Sequence, residues 1–241
     1  MLYNTIEFSA PKNYLDLKED LPAPTKTNLP SWFKKLSASD DDMTVKKCMP
    51  FLETLTSGYI LKVPMDIEIK HNKKNEEGER ETRFNMGVNQ NLTQTANLNY
   101  QGDSHSISQI ANSPFVKKNL NFPIYKIKNP WKIKTPRGYS CLFIPPLNNR
   151  DDRFEIFSGI VETDRHPVEI NFPFCINGDK YPVLDTTIKK GTPYVQVIPF
   201  KRDAWKMKIS ENKELVKTVF SFELILRKFY KDKIWKKTTW L

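Results

Sequence analysis

The segment Lys190-Gly191-Thr192-Pro193-Tyr194-Val195-Gln196-Val197-Ile198-Pro199-Phe200 closes a run of short apolar stretches that begins at Pro123. Turns that contain Gly, Pro or Asn separate these stretches, and almost no helical periodicity interrupts them. The predicted strands cover residues 124–134, 139–144, 153–161, 168–176 and 194–200. Many short strands at regular spacing are typical of all-β domains. The pattern therefore predicts a mainly β fold: an antiparallel β sandwich, a jelly roll or a small barrel.

The segments before this run predict short N-terminal helices and a further pair of strands. Residues 30–36 and 49–57 show the helical spacing of apolar side chains. Strict alternation over residues 59–69 predicts a strand. Residues 72–83 are charged and predict a hairpin tip, and residues 83–88 are the expected partner strand.

Length and composition favour one soluble domain over residues 1–241. The chain of 241 residues is long enough to bury one substantial core. Apolar residues make up 39% of it, but they form no continuous run that would span a membrane. The first residues alternate like a strand and lack the basic and apolar regions of a signal peptide. We therefore expect no membrane contact and a cytoplasmic location.

The three cysteines, Cys48, Cys141 and Cys175, are odd in number and widely spaced. This spacing does not predict a disulfide framework, and no Cys-x-x-Cys pair indicates a structural zinc site. Cys141 and Cys175 lie in apolar, strand-like segments. We expect them to be small buried side chains in a reducing compartment.

Motifs for metal, nucleophile and phosphate chemistry are missing. The histidines, His71, His105 and His166, lie far apart, and Asp164 with His166 forms an isolated Asp-x-His pair. A metal site on a β scaffold needs two or three imidazoles that converge with a carboxylate. The chain also lacks a Gly-x-Ser-x-Gly elbow and a glycine-rich phosphate loop. The sequence therefore predicts neither a metal site nor a cofactor.

Basic residues predominate, with 38 Lys and Arg against 28 Asp and Glu and a formal charge of +10. Much of the excess lies in a predicted amphipathic helix over residues 211–236. Its cations are Arg227, Lys228, Lys231, Lys233, Lys236 and Lys237. Two interpretations are open. The cations contact a polyanion such as a nucleic-acid backbone, or the helix is a solvated element whose aromatic side chains dock on the core.

The turn Glu162-Thr163-Asp164-Arg165-His166 is the predicted functional surface, because it concentrates acidic, basic and titratable groups between two strands. Glu162, Asp164 and His166 are the candidate catalytic residues. The candidate ligand-binding residues are Arg137, Arg153, Arg165 and Gln196. The alternative is structural, with Thr163 and Asp164 capping the turn through its backbone N–H groups.

Several segments of unusual amino-acid sequence occur along the chain. They are Leu29–Lys35, Thr44–Phe51, Thr56–Tyr59, Asn129–Trp131, Pro136–Ser140, Gly159–Asp164 and Gly191–Phe200. In these segments the chain resembles an uncharacterised family of tailed-phage and bacterial proteins, known as a domain of unknown function. The resemblance spans most of the chain. It implies a viral gene or a bacterial accessory gene, and it implies no activity.

A fainter likeness is to the dUTPase and dCTP deaminase superfamily. Those enzymes place a Gly-Val-Ile-Asp-x-Asp-Tyr-like turn before a Lys-Gly-Asp-x-Ile-Ala-Gln-Leu-like strand, much as Gly159–Asp164 precedes Lys190–Ile198 here. The likeness would put Glu162 at the water-activating carboxylate. However, Arg165 stands in place of the deoxyribose-stacking Tyr, and an Arg-Ser-Gly phosphate motif is missing. The likeness is therefore one of β architecture.

Together these features favour a non-catalytic, virus-encoded virion, assembly or accessory binding protein. Its expected partners are other viral proteins or further copies of itself, and its expected location is the infected host cell's cytoplasm or the virion. Two alternatives stay open. One is an enzyme that acts on nucleotides or another small molecule, on a dUTPase-like or cupin-like β scaffold. The other is a polyanion binder that uses the C-terminal helix.

Overall fold

A computed structural model of the chain describes residues 4–16, 18–39, 42, 44–74, 76–86, 103–110, 113, 124–211 and 230–241. In these residues the protein is mainly β, with more strand than helix. Its sheets are antiparallel and its helices are short. The fold class predicted from the sequence is therefore confirmed, and the arrangement is sandwich-like.

The described residues contain three short α-helices and fourteen strands. The helices are α1 Lys12–Leu15, α2 Ser31–Lys35 and α3 Met49–Thr56. The strands are β1 Glu7–Ser9, β2 Ala23–Pro24, β3 Tyr59–Lys62, β4 Ile67–Lys74, β5 Arg80–Met86, β6 Asp103–His105, β7 Ile124–Ile127, β8 Lys132–Lys134, β9 Tyr139–Ile144, β10 Phe154–Ile156, β11 Gly159–Val161, β12 Phe172–Ile176, β13 Leu184–Ile188 and β14 Pro193–Lys201. Helices α2 and α3 confirm the two helices that apolar spacing predicts.

In the described part of the chain the strands form two larger sheets and two smaller ones. The five-stranded sheet has the order β11-β9-β14-β3-β2, and the four-stranded sheet has the order β10-β12-β7-β6. The smaller sheets are β13-β4-β5 and β1-β8. β14 lies at the centre of the five-stranded sheet, so neighbouring strands satisfy its backbone on both sides.

Aromatic side chains of the two larger sheets meet in the core. The ring centroid of Phe143 in β9 lies 5.4 Å from that of Phe172 in β12. Phe172 also contacts Tyr194 of β14, with 5.7 Å between ring centroids. All three side chains are buried. Because buried aromatic rings remove large apolar areas from water, this cluster contributes strongly to the packing of the two sheets.

Strand alternation in the sequence predicts nine inward-facing side chains, and eight of them are buried. The eight are Trp131, Phe143, Phe154, Ile156, Ile170, Phe172, Val195 and Val197. The ninth, Tyr139, is only half-buried, so this prediction is wrong. Tyr139 is the first residue of β9, and its hydroxyl donates to Asn4 Oδ1 at 3.3 Å on the surface.

One predicted strand is two strands in the structure. Alternation over residues 59–69 predicts a single strand, but β3 ends at Lys62 and β4 begins at Ile67. Pro64 lies between them, and proline lacks the N–H that a strand ladder needs. At this point the chain leaves the five-stranded sheet and enters the sheet in which β4 pairs with β5 and β13.

The charged hairpin expected at residues 72–83 is largely β-structure. β4 continues to Lys74 and β5 begins at Arg80, so the two strands take up most of the predicted tip. Lys73 lies opposite Glu81 in the ladder. The strands therefore extend further into this polar segment than the sequence predicts.

The predicted C-terminal helix over residues 211–236 lies largely outside the described residues. In the described part, Tyr230–Ile234 form one π-helical turn, and residues 235–241 are not helical. The indole N–H of Trp235 donates to Glu53 Oε1 of α3 at 2.6 Å. The Tyr59 hydroxyl donates to the Leu241 carbonyl oxygen at 3.2 Å. The end of the chain therefore packs against the β domain.

Candidate functional site

Asp164, the central carboxylate of the predicted site, is bound by Arg202. The guanidinium donates to both carboxylate oxygens, with 2.9 Å from Nη1 to Oδ1 and 2.5 Å from Nη2 to Oδ2. The backbone N–H of Gly138 donates to Oδ2 at 2.8 Å. The Asp164 side chain is 2% exposed. Chiefly because of Arg202, the pKa of Asp164 falls to about 2, so the carboxylate is charged at neutral pH.

Arg202 joins three parts of the fold at this point. Besides Asp164, its Nη1 donates to the Tyr139 carbonyl oxygen at 2.7 Å and to Ser140 Oγ at 3.0 Å. Its backbone N–H donates to the Gly138 carbonyl oxygen at 2.9 Å. The turn after β11, the beginning of β9 and the residue after β14 are therefore held together. We call this arrangement the Asp164–Arg202 clamp.

Thr163 supports the clamp from the core side. It is fully buried, and its hydroxyl lies 2.7 Å from that of Thr135. It also lies 3.4 Å from Cys141 Sγ in β9. These contacts are those of a structural cap. The cap differs from the one predicted, because the N–H that Asp164 binds belongs to Gly138 and not to the turn itself.

The other two candidate catalytic residues, Glu162 and His166, lie in the same turn as Asp164. Glu162 is exposed and lies 3.7 Å from Arg165 Nη1, a separation typical of a weak surface ion pair. His166 is partly buried, and its backbone N–H donates to the Glu162 carbonyl oxygen at 2.9 Å. In the described residues no hydrogen bond joins the side chains of Glu162, Asp164 and His166.

Two of the four candidate binding residues, Arg153 and Gln196, make hydrogen bonds within the protein. The Arg153 guanidinium holds the Asp151 carboxylate, with 2.6 Å from Nη2 to Oδ2, and its Nη1 donates to Thr186 Oγ1 at 2.7 Å. Gln196 is fully buried in β14. Its amide N–H donates to the Ser57 carbonyl oxygen at 2.7 Å, and its Oε1 accepts from the Leu147 N–H at 2.9 Å. Arg137 and Arg165, by contrast, are exposed.

The described residues contain no group of His, Cys, Asp and Glu side chains that could hold a metal ion. Within that same part of the chain, no helix is long and apolar enough to cross a membrane.

A cleft of about 280 Å³ lies where the two ends of the chain meet the five-stranded sheet. Its walls include Tyr59, Tyr139 and Trp240, together with Pro136, Pro199 and four threonines. The rings of Tyr59 and Trp240 are perpendicular, with 5.9 Å between centroids. The indole N–H of Trp240 makes no hydrogen bond within the described part of the chain. The sequence gives no local signal for this cleft, because its walls come from segments that are far apart in the chain.

An exposed arm follows the clamp directly. Residues 203–210 read Asp-Ala-Trp-Lys-Met-Lys-Ile-Ser, so that large apolar and basic residues alternate. Trp205, Met207 and Ile209 are 90%, 88% and 86% exposed. Three large apolar side chains this exposed within five residues are an unusual concentration of apolar surface. Sequence reasoning missed this arm, although its alternation is visible.

The basic residues at the C-terminus lie partly in the described region. Lys231, Lys233, Lys236 and Lys237 are exposed, and Arg227 and Lys228 lie outside the described residues. The described cations therefore face solvent, as a surface that contacts a polyanion requires.

No protein-family model matches the chain, and no curated protein matches it.

Proposed function

We propose that the protein is a non-catalytic, virus-encoded assembly protein that binds its partner through the arm, residues 203–210. The exposure of Trp205, Met207 and Ile209 carries this proposal. Apolar side chains that remain in water in the free chain release free energy when a partner covers them. An arm of this kind is a contact element for assembly.

The clamp supports the proposal because it fixes the base of the arm. Arg202 is the residue immediately before the arm, and Asp164 and Gly138 hold it through charged and backbone hydrogen bonds. A segment with a fixed base loses less conformational entropy on binding than a free tail. In this proposal, Asp164 holds Arg202 in place at the base of the arm and has no catalytic role.

The distinctive segments that resemble the phage family are helices, turns and strands of the scaffold. Gly58 and Gly138 have positive φ angles of 71° and 87°, which favour glycine. A Cβ on Gly58 would lie 2.1 Å from the Val197 carbonyl oxygen of β14. The backbone geometry therefore accounts for Gly58 and Gly138 without a catalytic role, which supports a structural protein.

Particle proteomics tests the assembly role. We expect the chain to be present at a fixed copy number in washed particles of the virus that encodes it. A variant with Trp205, Met207 and Ile209 all changed to Ser should be lost from particles when it replaces the natural gene. The matched control changes Lys206 and Lys208 to Ser and should be retained. Consistent absence of the natural chain from washed particles, or normal incorporation of the triple variant, would contradict the proposal.

The cleft beside Tyr59 and Trp240 favours a second candidate function, the binding of a small uncharged molecule. Its aromatic walls and its few polar groups are typical of small-ligand sites. Thermal-shift screening against nucleosides and other small molecules tests this candidate. A ligand at a hundredfold its dissociation constant stabilises a protein by about 2.7 kcal/mol. This candidate would be ruled out if no compound raised the melting temperature of the natural chain and if Trp240→Ala gave the same result in the screen.

A third candidate, polyanion binding, has the exposed Lys231, Lys233, Lys236 and Lys237 in its favour. Such binding would be directed to the phosphate backbone and would weaken steeply with salt. Binding to single-stranded DNA that changes little between low and high salt would contradict it.

A further inference from the structure

We propose that the cleft beside Tyr59 and Trp240 binds one base of a single-stranded nucleic acid, while basic side chains at its rim bind the neighbouring phosphates. This inference rests on polyanion binding, the third candidate function above, and adds a site for the base. It does not involve the arm. Two features of the cleft carry it: an aromatic ring that packs on no other ring, and cations that have no acidic partner.

Tyr139 supplies the aromatic ring. It lines the cleft and is half-buried. The rings of Tyr59 and Trp240 pack on each other, with 5.9 Å between centroids. Tyr139, by contrast, contacts no other aromatic ring within the described residues. Because proteins that bind single strands stack bases on aromatic side chains, Tyr139 is the platform on which a base can stack.

Three basic side chains at the rim of the cleft lack an acidic partner. Arg137 lies two residues before Tyr139. Lys236 and Lys237 directly precede Thr238 of the cleft wall. All three cations are exposed, and none of them forms an ion pair in the part of the chain that the structure describes. Charge complementarity therefore favours an anionic ligand over the uncharged molecule considered above.

The carboxylates around the clamp and the cleft each face a cation of their own. The pairs are Asp164 with Arg202, Asp203 with Lys201, Glu162 with Arg165, and Glu7 with its cross-strand neighbour Lys134. These carboxylates therefore do not offset the charge of the three cations at the rim. A phosphate is the group that can do so, and a nucleic-acid strand carries one for each base.

The clamp fixes the turn that carries both Arg137 and Tyr139. Gly138, between them, donates its N–H to Asp164 Oδ2 at 2.8 Å and accepts from the Arg202 backbone N–H at 2.9 Å. Arg202 Nη1 also donates to the Tyr139 carbonyl oxygen at 2.7 Å. The guanidinium and the ring therefore extend from a backbone that is held before a ligand binds. Such preorganisation lowers the entropy cost of binding.

The size of the cleft suits one base. Its volume of about 280 Å³ lies at the lower end of the roughly 300–1,000 Å³ that is usual for small-molecule pockets. A space of this size holds one base with part of its sugar, so the rest of a strand lies along the surface. Lys231 and Lys233 are also exposed there. A strand can contact these further cations and a free mononucleotide cannot, so the charge distribution favours a strand.

Fluorescence anisotropy with labelled oligonucleotides tests the inference on the natural chain. We expect a short oligothymidylate to bind about fivefold to 150-fold more tightly than an abasic oligonucleotide of the same length, the range for one base stacked on an aromatic ring. Thymidine monophosphate should compete only weakly, because it offers one phosphate to the cations. This comparison needs no variant and therefore does not depend on whether a substitution disturbs the fold.

Variants separate the base contact from the phosphate contact. Tyr139→Ala should weaken oligothymidylate binding by the same fivefold to 150-fold, about one stacked base, and leave abasic binding unchanged. Its control is Tyr139→Phe, which keeps the ring and should keep the natural affinity. Arg137→Ser should weaken binding of both oligonucleotides and reduce the slope of log affinity against log salt concentration by about 0.7. Its control is Arg150→Ser, because Arg150 is also exposed and is not part of the cleft wall. Circular dichroism establishes that each variant is folded.

Equal affinity of the natural chain for the two oligonucleotides would overturn the inference. So would a folded Tyr139→Ala variant of natural affinity, or thymidine monophosphate that binds as tightly as the oligothymidylate. If both oligonucleotides bind equally and their binding falls steeply with salt, polyanion binding stands and the base site falls. If neither binds at low salt, both fall. The assembly role is independent of these outcomes, because its test concerns only the arm.

Discussion

β14 and the arm carry similar patterns but have opposite surroundings. In β14, Tyr194, Val195 and Val197 are buried, because β9 and β3 flank the strand and the four-stranded sheet covers it. Beyond Lys201, which pairs with the first residue of β9, the ladder ends, and Trp205 is 90% exposed. Apolar alternation therefore predicts a strand conformation, but a neighbouring strand decides whether the strand is buried.

The largest expected difference concerns aromatic residues in the two regions. Phe172→Ala, in the core beneath β14, should lower the free energy of unfolding by about 3–5 kcal/mol, since it leaves a cavity among buried rings. Trp205→Ala, in the arm, should change it by less than about 0.5 kcal/mol. Urea denaturation of dilute protein measures both. Equal losses would mean that the arm belongs to the folded core.

A glycine pair sharpens the role of close packing against β14. Gly58→Ala combines a positive φ with a Cβ only 2.1 Å from the Val197 carbonyl oxygen, so it should cost more than the ~1–3 kcal/mol of backbone strain alone. Gly78→Ala is the matched control, because Gly78 also has a positive φ but nothing within 4 Å of the new Cβ. If both variants unfold at the same urea concentration, β14 shifts to make room for the new Cβ. Close packing between Gly58 and Val197 then contributes nothing to stability.

The clamp links the two regions and should be sensitive to pH. Asp164→Asn should lower the free energy of unfolding by about 2 kcal/mol at pH 7, because the charged hydrogen bonds to Arg202 are lost. The pKa of Asp164 is about 2 in the folded chain and about 3.9 in an unfolded one. Its contribution is therefore complete above about pH 5 and is lost as the pH falls towards 2. Parallel pH profiles of the variant and the natural chain would refute this.

The prediction with the smallest expected effect concerns the reactivity of the cysteine thiols. Cys48 is exposed, whereas burial raises the pKa of both Cys141 and Cys175 to about 11. A chromogenic disulfide reagent should therefore modify Cys48 quickly in the native protein, and Cys141 in β9 should react only after unfolding. Rapid reaction of Cys141 would indicate that the sheet around the clamp opens readily.

The sequence predicts local elements well and long-range contacts poorly. β9 was predicted as residues 139–144 and occupies them, since alternation within one strand is a local property. β13 was missed because Leu-Asp-Thr-Thr-Ile has little pattern, and its pairing with β4 stabilises it. The sequence predicts Asp164 as a candidate catalytic residue or a cap of its turn. Its partner Arg202 lies 38 residues away, and only the fold reveals that pairing.

Hydrogen exchange along residues 194–210 tests the central claim, that the arm is an exposed segment without a partner in the single chain. The amides of Val195 and Val197 should be protected at every protein concentration. Those of residues 204–210 should exchange at nearly the unprotected rate in the free chain and should become at least tenfold slower in the assembled form, the chain incorporated into particles. Arm amides that exchange freely in the assembled form, or that are already protected in dilute monomer, would contradict the account.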